Sequence, residues 1–265
     1  MRALRRTLAT VPAAGRCTVA ILSVAAAILA MPATARANTI FVTSRNGNTI
    51  GEYTTSGATV NASLITGLNA PYGIAVSGSD LFVANAASIG TIGEYTTSGT
   101  TVNASLIPGL NYPQFIAVSG SNLFVTTNGT NKIGEYTTAG ATVNTSLITG
   151  LNGPSGIAVS GSNLFVANVG NGTIGEYTTS GATVNASLIT GLTGPFDIAV
   201  SGSNLFVTSS GRIGEYTTSG ATVNASLITG LNSPTGIAVV VPEPATGLLV
   251  MTGLLGFAGT RRRRA

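Results

Sequence analysis

Five glutamates are the residues of this chain whose type and spacing best suit chemistry. Glu52, Glu94, Glu135, Glu176 and Glu215 recur 39 to 42 residues apart, each within the tetrapeptide Ile-Gly-Glu-Tyr. A ring of carboxylates could bind a cation such as Ca²⁺, which takes about six to eight oxygen ligands. A residue copied in every unit is more simply structural, bonding backbone groups of the next unit. We therefore predict no metal, no cofactor and no catalytic residue.

The rest of the composition excludes the common catalytic constellations. The chain has no histidine, and its one cysteine, Cys17, lies near the N-terminus. Ser-His, Cys-His and His-metal arrangements all need residues that the chain lacks. On this basis the sequence predicts a protein that is not an enzyme.

Positions that differ between the copies are the other candidates for a site. They cluster in the turn before each Ile-Ala-Val segment, where loops of repeat proteins usually carry function. The resulting aromatic, weakly acidic set would suit stacking on sugar rings, and neutral drift is the alternative explanation. The candidate ligand-binding residues are Tyr72, Tyr112, Gln114, Phe115, Phe196 and Asp197. A second variable loop, which contains Arg45, looks tolerant of change.

The elements that must position these residues repeat with a period of about 40 residues, which indicates repeat architecture. Each unit contains Ile-Ala-Val, Leu-Phe-Val, Ile-Gly-Glu-Tyr-Thr-Thr and a polar Thr-Val-Asn-Ala-Ser-Leu-Ile segment. These four runs predict four strands, and four-stranded units suit the blades of a β-propeller. The fold class predicted is all-β, a five-bladed propeller. An open β solenoid is the alternative.

The phasing of the copies predicts how the ring closes. Ile40 to Val42 is a lone second strand at the start, and Ile237 to Val239 is a lone first strand at the end. We expect these two segments to pair, so that the N-terminal strand completes the last unit and leaves no innermost edge unpaired.

Two stretches resemble NHL-type propeller repeats. Pro71 to Asn85 and Gly153 to Asn168 follow that family's Pro-x-Gly-Ile-Ala-Val strand, Gly-Asn turn and Leu-aromatic-Val-Ala strand. The resemblance implies a propeller for most of the repeat body, residues 38–240. A serine follows Ile-Ala-Val where the family commonly has aspartate, so a metal role of that aspartate is not carried over.

The N-terminal residues 1–37 have the pattern of a secretory signal peptide. A basic start precedes an apolar stretch from Cys17 to Met31, and Ala35-Arg36-Ala37 precedes the expected cleavage between Ala37 and Asn38. A retained membrane anchor is the alternative. Nine of the twelve basic residues lie in the two tails, which leaves the repeat body with an excess of four negative charges. This balance argues against nucleic-acid binding.

The C-terminal residues 241–265 carry the most specific motif. Pro242-Glu243-Pro244 is followed by the apolar stretch Ala245 to Thr260, and the chain then continues with Arg261, Arg262, Arg263 and Arg264. At about 1.5 Å per residue the apolar stretch is short for a transmembrane helix, so we expect transient anchoring in the inner membrane. Arginines beside such a segment stay cytoplasmic and leave the repeat body outside.

This ending resembles the PEP-CTERM sorting signal of Gram-negative bacteria that make exopolysaccharide. The resemblance implies an exosortase as processing partner and a final location at the cell surface or outside the cell. With the repeat, it predicts a non-enzymatic binding or scaffolding module for exopolysaccharide or a surface protein. Two alternatives stay open: a propeller hydrolase or lyase that uses carboxylates and a metal, and a self-associating structural protein.

Overall fold

The computed structural model describes residues 39–237, and these form an all-β propeller of five antiparallel blades. Blade 1 contains β1 (Thr39–Ser44), β2 (Thr49–Thr54) and β3 (Thr59–Ile65). Blade 2 contains β4 (Pro71–Ser77), β5 (Asp80–Asn85), β6 (Gly90–Thr96) and β7 (Thr101–Leu110). Blade 3 contains β8 (Pro113–Ser119), β9 (Asn122–Thr127), β10 (Lys132–Thr137) and β11 (Thr142–Ile148), with a 3₁₀ turn at Asn128–Thr130.

The last two blades repeat this plan. Blade 4 contains β12 (Pro154–Ser160), β13 (Asn163–Asn168), β14 (Thr173–Thr178) and β15 (Thr183–Ile189). Blade 5 contains β16 (Ile198–Ser201), β17 (Asn204–Ser209), β18 (Arg212–Thr217) and β19 (Thr222–Thr229). The predicted propeller with four-stranded antiparallel blades is confirmed, and the open solenoid is not the fold.

The antiparallel order gives the propeller two distinct faces. The first strand of each complete blade lies innermost and starts at what we call the entry face, where the proline-containing turns lie. It ends at the opposite face, in a tight hairpin such as that between Ser77 and Asp80. The second strand returns to the entry face, and the hairpin that follows it, such as Ser44 to Thr49, lies there too.

Apolar runs in the first and second strands build the core because neighbouring blades cover both faces of blades 2, 3 and 4. Leu81, Phe82 and Val83 of β5 are almost completely buried. Leu81 and Val83 pack against Ile50 and Ile65 of blade 1, while Phe82 faces blade 3. Similar clusters join blades 3 and 4 and blades 4 and 5. Continuous burial explains why these strands read as unbroken apolar runs.

The Ile-Gly-Glu-Tyr motif has a packing explanation. A Cβ atom on Gly175 would lie 2.7 Å from Cε2 of Tyr177, which is closer than real Cβ contacts allow. The same relationship holds for Gly51, Gly93, Gly134 and Gly214 with their own tyrosines. Glycine therefore makes room for the tyrosine ring that lies over its own strand.

Asparagine side chains hold three of the five glutamates of the motif. Nδ2 of Asn163 donates a hydrogen bond of 2.8 Å to Oε1 of Glu176, and Glu135 and Glu215 have the same partner in their own blades. The structural role predicted for these residues agrees with this contact. The expected partner was wrong, however, because the donor is a side chain of the same blade instead of a backbone group of the next.

The asparagines of the Asn-x-Ser sequences fold back on their own strands. In the last strand of blade 4, Oδ1 of Asn185 accepts a hydrogen bond of 3.0 Å from the backbone N–H of Ser187, at a register irregularity opposite Glu176. The equivalent asparagines of the other four blades make the same bond.

Several predictions fall on residues outside this description. Among residues 39–237, no helix is long and apolar enough to cross a membrane. The signal peptide, its cleavage between Ala37 and Asn38, and the expected membrane segment Ala245 to Thr260 lie outside the described residues. Of the predicted closing strand, Ile237 is described and lies outside any strand, while Ala238 and Val239 are not described.

Candidate functional site

The innermost strands surround a central cavity of about 790 Å³. All five units contribute to its wall, with Ile40 to Thr43 from blade 1 and the starts of β4, β8, β12 and β16 from the others. The segment Thr235 to Ile237 lies in the wall as well. A cavity of this size suits a small-molecule ligand, for which about 300 to 1,000 Å³ is typical.

Three aromatic rings from different blades meet in this region. The ring centroids of Tyr72 and Phe115 lie 5.6 Å apart, and those of Tyr72 and Phe196 lie 5.9 Å apart. Phe115 and Phe196 complete the cluster at 6.0 Å with their planes nearly perpendicular. The two contacts of Phe115 are edge-to-face, and such contacts stabilise an aromatic cluster beyond its buried area. Tyr72 and Phe115 also line the cavity, so the cluster forms part of its wall.

Asp197 is a buried carboxylate on the same wall. Its residue is 8% exposed. Oδ1 accepts the backbone N–H of Ile198 at 2.9 Å, and Oδ2 accepts the backbone N–H of Ile237 at 3.0 Å. Burial raises the pKa of Asp197 to about 7, although the two backbone donors act in the opposite direction. Near neutral pH this group can therefore both give and take a proton.

The sequence places Asp197 where three other copies have glycine. Gly73, Gly156 and Gly236 occupy the equivalent position after the proline, and Phe115 is the second exception. A Cβ atom on Gly156 would lie 2.5 Å from Cα of Asp197. Glycine at that position therefore lets the turn that holds the carboxylate approach the neighbouring blade closely.

Arg45 brings a positive charge to the cavity. It lies in the hairpin between β1 and β2, and its guanidinium carbon is 5.2 Å from the centre of the Tyr72 ring. Burial raises the pKa of Tyr72, and the charge of Arg45 opposes that rise. Within the described part of the chain, Arg45 is the one cationic residue that lines the cavity.

The structure brings some of the predicted site residues together and leaves others apart. Tyr72, Phe115, Phe196 and Asp197 lie close to one another at the entry face. Tyr112 is 48% exposed and does not line the cavity. Gln114 is half-buried, and its Oε1 is buried without a hydrogen-bond partner among the described residues. That these side chains bind a ligand stays a prediction.

Arg45 was missed by sequence reasoning, which interpreted its loop as tolerant of change. The signal available was that the first hairpin alone carries arginine at this position. The five glutamates, by contrast, do not converge: no group of three or more metal-ligating His, Cys, Asp or Glu side chains occurs within residues 39–237.

A comparison with known protein families shows the family to which this chain belongs. The virginiamycin B lyase family matches residues 4–246, which is most of the sequence. The chain belongs to the virginiamycin B lyase family. The PEP-CTERM protein-sorting motif matches residues 240–264, so the predicted sorting signal is confirmed. A search of curated proteins found no match to this chain.

Solved structures agree with this assignment. The family member is 26% identical to a catalytically inactive histidine-to-alanine variant of virginiamycin B lyase from Staphylococcus aureus with quinupristin, with a TM-score of 0.53 over 76% of this chain and 70% of that one. It is 28% identical to a streptogramin B lyase, with a TM-score of 0.57 over 72% of this chain and 66% of that one.

A third structure supports the fold alone. A gluconolactonase from Xanthomonas campestris has a TM-score of 0.60 at 16% identity, over 72% of this chain and 73% of that one.

These findings correct one prediction and refine others. The family and the two similar structures are lyases, so the prediction that the protein is not an enzyme is wrong. It failed because it inferred inactivity from the absence of histidine and from the repetition of the glutamates, and neither excludes a single buried aspartate. The sorting motif implies export, processing by an exosortase and anchoring through the C-terminal signal in a Gram-negative bacterium.

Proposed function

We propose that this family member is an exported lyase that works in the central cavity with Asp197 as its general base. The observation that carries the proposal is the position of Asp197, a carboxylate with a pKa of about 7 on the wall of a ligand-sized cavity. A base is most effective when its pKa lies near the working pH. Membership in a lyase family supplies the class of reaction.

The absence of histidine makes Asp197 the strongest candidate. The Staphylococcus aureus lyase is catalytically inactive as a histidine-to-alanine variant. This chain has no histidine, so a proton must be taken by another group. Asp197 is the carboxylate that lines the cavity among the described residues, since the five glutamates lie in the third strands of their blades.

A lyase breaks a bond by elimination, which assigns a defined step to each residue. Asp197 removes a proton from a carbon next to a carbonyl group, and the electron pair of that C–H bond forms a carbon–carbon double bond. The leaving oxygen departs with the electron pair of its broken bond, as a carboxylate does when an ester is opened. The cation of Arg45 can stabilise negative charge on the substrate or on the departing group.

The lining of the cavity indicates the shape of the substrate. The wall has an aromatic and apolar surface made by Tyr72, Phe115 and several isoleucines. Arg45 adds a cationic side chain to it. A ligand with an apolar or aromatic body and a carboxylate or ester group fits these features. We further propose that the protein acts at the cell surface or outside the cell, where its sorting signal would deliver it.

Mass spectrometry can test the elimination directly. The full chain is incubated with quinupristin and with a panel of aromatic esters and lactones. Elimination opens a ring without changing the total mass and creates a conjugated double bond, whereas hydrolysis adds the mass of one water. We expect the first result for at least one substrate with the natural chain, and at least a 100-fold slower reaction with Asp197→Asn.

The control is Asp80→Asn, which changes a carboxylate that does not line the cavity. It should retain full activity. The proposal would be overturned if the natural chain converted no substrate in the panel, or if Asp197→Asn reacted as fast as the natural chain while remaining folded.

A further inference from the structure

Four asparagines on the outer strands carry a motif that the lyase proposal leaves unexplained. Each begins an Asn-x-Ser sequence, the acceptor motif for N-linked sugars, and each lies in the outermost strand of its blade. The asparagine, the alanine that follows it and the serine are all exposed in these four copies. A transferring enzyme could therefore reach the complete motif on the folded protein. The four asparagines are Asn61, Asn103, Asn185 and Asn224.

A bulge releases each motif from the regular ladder of its blade. In blade 4, Ile174 pairs with Ile189 and Glu176 pairs with Asn185. Three residues of the outer strand, including Ser187, lie between these two pairs, where the partner strand has only one. Blades 1, 2 and 5 show the same irregularity. Because a bulge bends a strand and redirects its side chains, the motif lies in a turn at the edge of the sheet.

The bulge also prepares the amide group for reaction. Oδ1 of Asn185 accepts the backbone N–H of Ser187 at 3.0 Å, and the other three asparagines make the same bond at the same distance. A donor at this oxygen stabilises the negative charge that the oxygen gains when the amide nitrogen loses a proton. The Nδ2 atoms of the four asparagines donate no hydrogen bond within residues 39–237, so they are available as nucleophiles.

The fifth Asn-x-Ser sequence, in blade 3, is less accessible. Asn144 accepts the same backbone N–H, from Ser146, at 2.9 Å. Ser146 is half-buried, however, and its Oγ accepts a hydrogen bond of 3.1 Å from Nζ of Lys132. The hydroxyl group that completes the motif is therefore already occupied.

The two Asn-Gly-Thr sequences have the acceptor motif without this geometry. Nδ2 of Asn128 donates to the carbonyl oxygen of Pro154 at 3.4 Å, so its nitrogen is engaged. Asn171 is followed by Thr173, which is only 7% exposed and donates its hydroxyl proton to Oδ1 of Asn171 at 3.0 Å. Neither sequence presents both a free amide nitrogen and a free hydroxyl group.

We propose that Asn61, Asn103, Asn185 and Asn224 are acceptor sites for N-linked glycans, which are attached after export. The donor is a sugar joined to a polyprenyl lipid through pyrophosphate. Nδ2 attacks C1 of the sugar and forms the N–C bond, while the bond from C1 to the pyrophosphate oxygen breaks and its electron pair leaves with the lipid pyrophosphate. The proton from Nδ2 passes to a base of the transferring enzyme. The export implied by the sorting motif brings the chain to the compartment of this reaction.

Glycans at these positions would cover surfaces that are otherwise open to association. A valine that is 53% to 55% exposed precedes each acceptor. Strand edges with exposed apolar side chains pair readily with other chains. The acceptors lie in the outermost strands, whereas the innermost strands surround the cavity, so the sugars leave the cavity open. The inference holds whether or not Asp197 is a catalytic base. The four valines are Val60, Val102, Val184 and Val223.

Peptide mapping of the protein purified from its own bacterium tests the proposal. A protease that cleaves after glutamate separates the copies, because every Ile-Gly-Glu-Tyr motif contains a cleavage site. Electron-transfer fragmentation then assigns any added mass to a single asparagine. We expect sugar on the four acceptors and none on Asn128 or Asn171. Four unmodified acceptors would overturn the proposal, and so would modification of Asn128 to the same extent as Asn185.

Two substitutions of Ser187 separate glycosylation from the structural role of the bulge. Asn185 bonds the backbone of Ser187, so Ser187→Ala retains this hydrogen bond and removes only the hydroxyl group that the motif requires. Ser187→Thr retains both. We expect Ser187→Ala to lose the sugar on Asn185 alone, with an unchanged circular dichroism spectrum, and Ser187→Thr to keep it. Sugar on Asn185 in the Ser187→Ala variant would overturn the proposal for this site.

Discussion

Oδ2 of Asp197 accepts the backbone N–H of Ile237 at 3.0 Å, a contact between residues 40 positions apart. One carboxylate thus joins two consecutive copies of the repeat and also faces the central cavity. The same burial that makes it a candidate base makes it sensitive to pH, and this leads to the first prediction.

The free energy of unfolding should depend on the ionisation of Asp197. Its pKa is raised from 3.8 to about 7 in the folded protein, so between these values the unfolded chain releases a proton that the folded chain retains. Stability therefore falls as pH rises from about 4 to about 7, by at most roughly 1.4 kcal/mol per pH unit, and changes little above that range.

Thermal unfolding followed by circular dichroism from pH 4 to pH 8 measures this effect. Asp197→Gly, which introduces the residue of three other copies, serves as the reference because it removes the titrating group. From pH 4 to pH 7 the melting temperature of the natural chain should fall relative to that of Asp197→Gly. Parallel curves for the natural chain and the variant would contradict the prediction.

Catalysis should have the opposite pH dependence. A general base must be ionised to accept a proton, so the rate should rise as pH increases through about 7 and then level off. The pH profile of kcat/KM measures this ionisation in the free enzyme. A rate that is constant from pH 5 to pH 9 would show that Asp197 is not the base.

Arg45 should select anionic ligands. Benzoate and benzyl alcohol share an aromatic ring and differ in charge, so their dissociation constants report the contribution of the cation. Arg45→Gln should weaken benzoate binding by about 1 kcal/mol, roughly fivefold, and leave benzyl alcohol unchanged. Isothermal titration calorimetry measures both. Arg212→Gln, a loss of charge outside the cavity, is the matched control and should behave as the natural chain does.

The two like charges of Asp80 and Glu94 in blade 2 should lower the free energy of unfolding. Blades 3, 4 and 5 have an asparagine that donates to the glutamate, whereas blade 2 has Asp80 at the equivalent position. Burial raises the pKa of Glu94, and the like charge of Asp80 raises it further. Asp80→Asn should therefore stabilise the fold by about 0.5 to 1 kcal/mol, at the low end because the pair is partly exposed.

The reciprocal change provides the test of this reasoning. Asn163→Asp should destabilise blade 4 by a similar amount, since it removes the donor to Glu176 and adds a like charge. Urea unfolding near pH 7 measures both variants. Stabilisation by both substitutions, or by neither, would show that the hydrogen bond does not control the difference.

Glycine in the Ile-Gly-Glu-Tyr motif should be replaceable only when its tyrosine is removed. Gly175→Ala should destabilise the protein by about 2 to 3 kcal/mol, because the added methyl group meets the ring of Tyr177. In a Tyr177→Ala background the same change should cost less than about 1 kcal/mol. A double-mutant cycle from urea unfolding gives the interaction between the two sites directly. An additive result would refute the steric explanation.

Sequence reasoning succeeded where the information is local. Continuous apolar runs such as Leu81 to Val83 predicted buried strands, and the repetition of Glu176 in every copy predicted a structural role. The half-unit phasing predicted that blade 1 would begin with its second strand, as β1 does. These features depend on neighbours in sequence or on the copy number alone.

The candidate site could be predicted only in part because it depends on how blades meet. Asp197 could be singled out in the sequence because three other copies have glycine at its position. Its burial and its hydrogen bond to Ile237 depend on how the blades are arranged in the propeller. Arg45 was also an exception among the copies, but its loop varied in length and was interpreted as tolerant of change. Its contact with Tyr72 requires the β1–β2 hairpin of blade 1 to lie beside the start of β4 in blade 2, which no local pattern records.

The distance along the chain between the parts of the cavity wall also sets an order of events during synthesis. β1 is the first strand of the described chain to be made, and the segment Thr235 to Ile237, which lies in the cavity wall with Ile40 and Val42, is among the last residues of the repeat body. The described wall of the cavity is therefore complete only when almost the whole repeat body has left the ribosome. Until then the exposed apolar edge at Ile40 and Val42 favours association between chains.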